Sequence, residues 1–241
     1  MVGGRGATVS LVLIAPGSAV AGAAVLLDDD EQHHLKVRRV SAGSDVAFTD
    51  GAGVRGTGHL VTQGRGLALA IGSVEQVPAP VPTVLGVGAG DRDRFGWLVE
   101  KATELGVSEI VPLDTDRTRG VTTGLRPEHL DKLRRRAREV LKQCGGAWMP
   151  ALCTLQPLES FLARTDLGAR WLLDTAGGAA PALDAASPAS ALVGPEGGLS
   201  EAERAAALAH GFTPIAAGPL TLRFETAALA AAVLIQASRH R

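Results

Sequence analysis

The rhythm of apolar and polar positions changes once along this chain. Up to residue 77 the apolar positions fall in short runs, Thr8–Ile14, Val25–Leu27, Val46–Thr49, Val54–Val61 and Leu67–Ile71, punctuated by Gly, Asp and Ser. That is the pattern of short, half-buried β-strands. Asp50-Gly51-Ala52-Gly53 joins two of them as a hairpin. One interruption, Asp30–Val40, reads as a short helical turn capped by Asp30. The whole stretch predicts a small β-barrel. Val77-Pro78-Ala79-Pro80-Val81-Pro82 then carries three prolines in six residues, a stiff linker, so the expected domains are residues 1–77 and 78–241.

Beyond the prolines, extended runs and helical periods alternate. Strand Thr83–Val87 precedes helix Arg92–Leu105, closed by Gly106. Strand Glu109–Leu113 precedes helix Pro127–Gln143, and strand Ala151–Leu155 precedes helix Leu158–Ala163. Strands Trp171–Asp174, Ala191–Val193 and Ile215–Ala217 follow, with helical patterns after the last two. Such alternation predicts an α/β domain with a mostly parallel sheet and helices on both faces. Leu130, Leu133, Ala137, Val140 and Cys144 share one helical face, which turns most of the arginines of Arg134–Arg138 outward. The last helix, Ala227–Ser238, is apolar nearly all round as far as Ile235, as suits a helix buried on every side. Trp97, Trp148 and Trp171 read as core.

Two turns in this half carry candidate chemistry. Gly194-Pro195-Glu196-Gly197-Gly198-Leu199-Ser200-Glu201-Ala202-Glu203 follows an apolar run and precedes a helical pattern. Its glycines let a ligand approach the backbone, and Ser200 with Glu203 forms the sequence of a capping box. Gly218-Pro219-Leu220-Thr221-Leu222-Arg223-Phe224-Glu225-Thr226 follows the next apolar run in the same manner. Ligands in open α/β sheets bind beyond the carboxyl ends of neighbouring strands, so two such turns predict one shared pocket, with Arg223 and Glu225 as its charged members.

GPEGGLSEAE followed by LRFETAAL resembles the C-terminal signature of the SPOUT superfamily. Within it the chain is most similar to the RsmE-type methyltransferases, which methylate N3 of a uridine in small-subunit ribosomal RNA. WLVEKATELGVSEIVPL (Trp97–Leu113) and HHLKVRRV (His33–Val40) add collinear matches, so the resemblance covers most of the chain. It implies a PUA-like RNA-binding barrel before a trefoil-knotted α/β domain, a homodimer, and S-adenosylmethionine bent into the knot. It also implies that the donor lies against Val193, Gly194, Pro195, Glu196, Gly197 and Gly198, and against Ala217, Gly218, Pro219, Leu220, Leu222, Arg223 and Thr226.

Composition adds constraints without changing that picture. With 46% apolar and 20% charged residues the chain is of ordinary globular make-up. The 24 basic and 25 acidic residues give no overall sign, but their distribution does: from Arg117 to Lys142 nine basic residues face three acids. That is a local field able to meet phosphate, or a solvated helix face. Lys36, Arg38, Arg39, Arg117, Arg119, Arg134, Arg135 and Arg138 are the candidate RNA contacts. His33 and His34 are adjacent, so they point apart and make no metal site. Cys144 and Cys153 are too isolated for a disulfide framework or a zinc site, which points to a reducing, cytoplasmic compartment and no metal. Arg5, the run Val9–Ala15 and small residues at Ala19–Ala24 imitate a signal peptide, but Pro16 and Gly17 interrupt it, and the run reads as a first strand.

Methylation at a uridine N3 requires removal of its proton and compensation of the charge that spreads over the uracil carbonyls. Arg223 suits the second task through its bidentate fork. Glu225 or Glu196 suits proton removal, unless Glu225 merely pairs with Arg223 or caps a helix. Two alternatives stay open on the residues. Leu85-Gly86-Val87-Gly88-Ala89-Gly90, with Asp114 after the next strand, suits a Rossmann-type methyltransferase or dinucleotide enzyme. The same Gly88-Ala89-Gly90 stands where RsmE-type relatives carry a lysine, which suits a non-catalytic RNA-binding or ribosome-assembly protein on that scaffold.

Overall fold

The computed structural model describes residues 10–118 and 125–239. Arg5, Thr8, Val9 and Arg119 among the residues named above lie outside this range. The chain divides into two compact units, Met1–Ala79 with Arg138–Met149, and Pro80–Ala137 with Pro150–Arg241.

The first unit contains β1 (Leu11–Leu13), β2 (Ala24–Leu26), α1 (Asp29–Val37), β3 (Asp45–Thr49), β4 (Val54–Gln63) and β5 (Gly66–Gln76). Its five strands run in the order β1-β3-β4-β5-β2, with β1 parallel to β3 and the other pairs antiparallel. Alternation places Val12, Val46, Phe48, Leu60, Leu69 and Ile71 in one core, onto which α1 adds Leu35. The turn at Asp50 is closed by its own carboxylate, which accepts the amides of Ala52 and Val54 at 2.8 and 2.9 Å. The helix begins earlier than expected. Asp28, not Asp30, is the cap, accepting from the Glu31 amide at 2.8 Å. Asp29 and Asp30 thereby fall in the first turn, where the helix dipole favours them. The helix stops at Val37 rather than Val40, and Arg39 takes a left-handed φ of 58° beyond it.

The second unit follows the expected alternation. Its elements are β6 (Thr83–Gly88), α2 (Arg92–Glu104), β7 (Glu109–Asp114), α3 (Pro127–Cys144, of which the residues from Arg138 on belong to the first unit), β8 (Ala151–Leu152), β9 (Gln156–Pro157), α4 (Leu158–Leu162), β10 (Ala169–Gly178), β11 (Ala189–Val193), α5 (Glu201–Ala209), β12 (Thr213–Ile215) and α6 (Phe224–Ser238). All pairings are parallel, in the order β12-β10-β11-β6-β7-β8, with β9 also on β7. The chain thus leaves the edge strand β12 and returns as α6 to pack on α2, β6, β10 and β11.

Several expected bounds shift for local reasons. β12 covers Thr213–Ile215, not Ile215–Ala217; Pro214 is tolerated because the strand is an edge, and Ala217 is left to the following loop. The expected strand Ala151–Leu155 is shortened to β8, and β9 forms just beyond it. Trp171 is buried, but Trp97 is 42% exposed, because α2 buries Phe95, Leu98, Val99 and Ala102 instead. Trp148 is half-buried, its Nε1 donating to the Val77 and Pro78 carbonyls at 3.2 and 3.0 Å. α6 is not buried on every side either: Val233 is 49% exposed, Thr226 and Ala237 are exposed, and Leu229, Ala230 and Leu234 are half-buried on the same side.

The basic run also divides. Arg134, Arg135, Arg136 and Arg138 are exposed while Leu130, Leu133, Ala137 and Val140 are buried. Cys144 is exposed, and Leu141 takes the core place assigned to it. Lys142 is buried in the first unit, 2.6 Å from Glu31 and 2.7 Å from Glu139. The second Glu31 oxygen accepts the Leu13 amide at 3.2 Å, so this buried pair is satisfied on both sides. Removing one partner of such a pair costs about 3–5 kcal/mol. Cys153, beside the Arg164–Glu109 pair, has its thiol pushed up to about 11 by burial and by Glu109, which suppresses the thiolate.

Candidate functional site

β12, β10 and β11 are neighbours, so their carboxyl ends open on one edge of the sheet. Three segments leave that edge: residues 174–177 of β10, the loop from Gly194 to Ser200, and the loop from Ala216 to Arg223. Together they enclose a cavity of about 360 Å³, within the range of roughly 300–1,000 Å³ typical of small-molecule sites.

The first loop is held on several sides. The capping box at Ser200 is formed in both directions, Ser200 Oγ accepting the Glu203 amide and Glu203 Oε2 accepting the Ser200 amide at 2.8 Å. Glu203 Oε1 also accepts the Asp116 amide at 2.7 Å, and Ser200 Oγ lies 2.8 Å from Asp116 Oδ2 as donor. Glu196 Oε1 accepts the Asp91 amide at 3.0 Å and sits 3.7 Å from Arg94. Arg117 donates from Nη1 to the Gly197 carbonyl. Gly198 needs its glycine, with φ at 73°.

The second loop is held differently. Ala217, Gly218, Leu220, Thr221 and Leu222 all line the cavity, yet none of their amides or carbonyls hydrogen-bonds to a described residue. A Cβ on Gly218 would meet nothing within 4 Å. Unpaired backbone groups are normally matched by partners, and here they border open space on the scale of a nucleoside. Neutral donors and acceptors on bare backbone suit the edge of a purine and the hydroxyls of a ribose.

β10 supplies what the sequence reading missed. Its pairing with β12 slips between Leu173 and Gly178, and the intervening residues bulge at the cavity, as bulges beside binding sites do. Leu172, Leu173, Asp174 and Thr175 line the cavity, as do Leu199, Arg204, Thr221, Phe224 and Ala227. Asp174 accepts the Ala176 amide at 2.9 Å and Arg204 Nε at 2.7 Å. The Ala176 amide, then Arg204, hold its carboxyl below the usual range, so it is ionised at neutral pH. The available signal is position: Asp174 closes the expected strand Trp171–Asp174, and the next two expected strands both end in ligand-type turns.

Of the expected donor contacts, Val193, Gly194, Pro195, Glu196, Gly197, Gly198, Ala217, Gly218, Leu220 and Leu222 line the cavity, while Pro219, Arg223 and Thr226 do not. Arg223 is exposed as the N-cap residue of α6, makes no side-chain cap and no ion pair with a described residue, and stands between two lining residues, Leu222 and Phe224. Glu225 is 7% exposed and does not line the cavity, and its Oε2 has no hydrogen-bond partner. It forms no ion pair with Arg223 and sits in the first turn of α6, where the N-terminal end of the helix favours a carboxylate. Glu196 is the glutamate on the cavity wall.

The glycines of Gly86–Gly90 are closed by protein. A Cβ on Gly86 would stand 2.5 Å from the Phe161 ring and one on Gly88 2.5 Å from Pro195, while one on Gly90 would strike the Glu196 carboxylate. The Rossmann alternative fails on this packing: that turn is the floor of the Pro195–Glu196 loop, not a nucleotide cradle.

Among the expected RNA contacts, Lys36, Arg38 and Arg39 are exposed at the end of α1, and Arg135 and Arg138 are exposed on α3. Arg134 is engaged with Asp131 and the Leu152 carbonyl at 2.9 Å each. Arg117 is engaged with Gly197.

Residues 77–236 match the RNA methyltransferase domain family, and residues 27–70 match the RNA methyltransferase PUA domain. The chain is 30% identical to the ribosomal RNA small subunit methyltransferase E of Mycobacterium bovis, over 87% of this chain and 85% of that protein. It is 28% identical to the protein of the same name from Synechocystis, over 94% and 77%. A methyltransferase structure from Legionella pneumophila, in complex with the bound cofactor SAM, superposes with a TM-score of 0.84 at 26% identity, covering 96% of this chain and 98% of that one.

Proposed function

Because this chain belongs to the ribosomal RNA small subunit methyltransferase E family, we propose that it transfers the methyl group of S-adenosylmethionine to N3 of a uridine in small-subunit ribosomal RNA. The observation that carries this reading is the cavity at the ends of β10, β11 and β12, walled by backbone groups with no partner among the described residues. The bound donor supplies an electrophilic sulfonium methyl. The chain's own work is to hold it in line with the acceptor nitrogen, which accounts for much of the rate in such transfers.

In this reading the unbonded amides and carbonyls of Ala217–Leu222 bind the adenosine, and the tethered loop Gly194–Gly198 closes over it. Arg223, exposed beside the cavity and with no ion pair among the described residues, meets the negative charge on the uracil carbonyls. Glu196 takes the N3 proton. Glu225 supports α6 rather than the chemistry. Residues 1–77 bind RNA and residues 78–241 carry the transfer, with Lys36, Arg38, Arg39, Arg135 and Arg138 meeting phosphates. The reacting edge is the Watson–Crick edge, so the uridine is presented unpaired. The uncovered apolar side of α6, Leu229, Val233 and Leu234, suits a second copy of the chain; a monomer by light scattering at micromolar concentration would count against that homodimer. The site of action is the cytoplasm.

The test is transfer from labelled donor to small-subunit RNA and to assembled subunits, with the product nucleoside identified by mass spectrometry. N3-methyluridine is expected, and Arg223→Ala should lower the rate by roughly 10²–10³-fold without changing the melting temperature. Methyl on a ribose oxygen, wild-type turnover in the variant, or donor binding with no transfer to either substrate would each overturn the assignment.

A further inference from the structure

Among the described residues, the Asp174–Arg204 pair is the one pair of opposite charges in which both members line the cavity. Its geometry is incomplete in a specific way. Arg204, in the first half of α5, meets the aspartate through Nε alone, at 2.7 Å to Oδ2. Neither terminal nitrogen of its guanidinium has a partner among the described residues, which leaves its remaining N–H donors unused. Asp174 Oδ1 accepts only the Ala176 amide, at 2.9 Å, so both carboxylate oxygens keep a lone pair. Asp174 lies in the stretch where the register of β10 on β12 slips. Glu196, the other carboxylate on the wall, is engaged with Asp91 and Arg94.

A fixed anion beside a cation with free donors is a receptor for a molecule that carries both signs on adjacent atoms. An α-amino acid does: its ammonium suits the carboxylate, and its carboxylate suits the planar end of the guanidinium. A ribose diol would use the aspartate and leave the arginine idle. We propose that Asp174 and Arg204 bind the zwitterionic amino-acid end of the donor, selecting a complete S-adenosyl amino acid over the bare thionucleoside. This rests on the reading of the cavity as the donor site and adds to it a specificity element made by side chains, where the rest of the cradle is backbone. It involves no bond-making step.

Isothermal titration of the full chain with S-adenosylhomocysteine and with 5′-methylthioadenosine tests it, because the second ligand has the same nucleoside and thioether but no amino acid. The wild type should bind the first more tightly. Arg204→Ala and Asp174→Asn should each weaken S-adenosylhomocysteine by roughly 10- to 100-fold and leave methylthioadenosine within about twofold. Arg204→Lys, which keeps the charge and loses the fork, should fall between wild type and Arg204→Ala. Melting temperatures read alongside identify any variant that fails to fold, and the lysine variant then carries the comparison. Equal losses for both ligands, or undiminished S-adenosylhomocysteine affinity in folded variants, would overturn the clamp alone. A wild type that binds neither ligand would overturn the donor site, and the clamp with it.

Discussion

Gly86–Gly90 and Gly194–Gly198 leave adjacent strands of one parallel sheet, and both are written in glycine, yet only the second borders space. In the first, the missing side chains make room for other parts of the protein: Phe161, Pro195 and Glu196 occupy the places where Cβ atoms would stand. The second also meets protein, Leu199 beside Gly194 and Arg117 beside Gly197, but it lines the cavity, together with Gly218 on the following loop, where a Cβ would meet nothing. Glycine in a strand-to-helix turn records a close approach and not the identity of what approaches. Deciding between protein and ligand requires the packing.

That contrast is open to substitution. Gly218→Val has the largest expected effect. Its side chain would project where nothing lies within 4 Å, so the fold should melt as before while S-adenosylhomocysteine affinity drops by roughly 10- to 100-fold, a clash of about 1–3 kcal/mol. Unchanged affinity would show that the open space is not the ligand's. Gly88→Ala should do the reverse first. A Cβ 2.5 Å from Pro195 forces the two loops apart at a cost of about 1–3 kcal/mol, and calorimetry should show a melting point lower by several degrees. If Gly88→Ala instead weakened a nucleotide ligand with no thermal cost, the Rossmann reading would return.

The smallest effect sharpens the same point at Arg117. Its bond to the Gly197 carbonyl makes it part of the loop's support, so Arg117→Ala should cost roughly twofold to tenfold in donor affinity. The salt dependence of RNA binding should stay as it is. A fall of about one in that slope with donor affinity unchanged would instead restore Arg117 to the RNA surface.

Local information carried much of this molecule. The capping box at Ser200 and Glu203, the turn at Asp50 and the alternation of strand and helix are set by residues within a few positions of one another, and the structure forms them. What stayed illegible depends on partners far along the chain. Arg117 reads as one more basic residue until Gly197, 80 positions on, is brought against it. Lys142 reads as the end of a solvated run until Glu31, 111 positions back, pairs with it. Asp174 and Arg204 lie 30 apart and belong to no motif. Aromatic content suggests burial for Trp97, whereas the side of α2 it occupies is decided by Phe95, Leu98, Val99 and Ala102.

The discontinuous make-up of the first compact unit, Met1–Ala79 completed by Arg138–Met149, has a consequence for biosynthesis. A ribosome emits the strands of the barrel well before it emits Lys142, so a nascent chain stalled near residue 80 holds Glu31 with its ammonium partner still untranslated. Protease protection of the barrel should therefore rise in two stages as stalled chains are lengthened, the second only after Met149 has cleared the exit tunnel. A single rise near residue 80 would show that the amino-terminal strands mature without waiting.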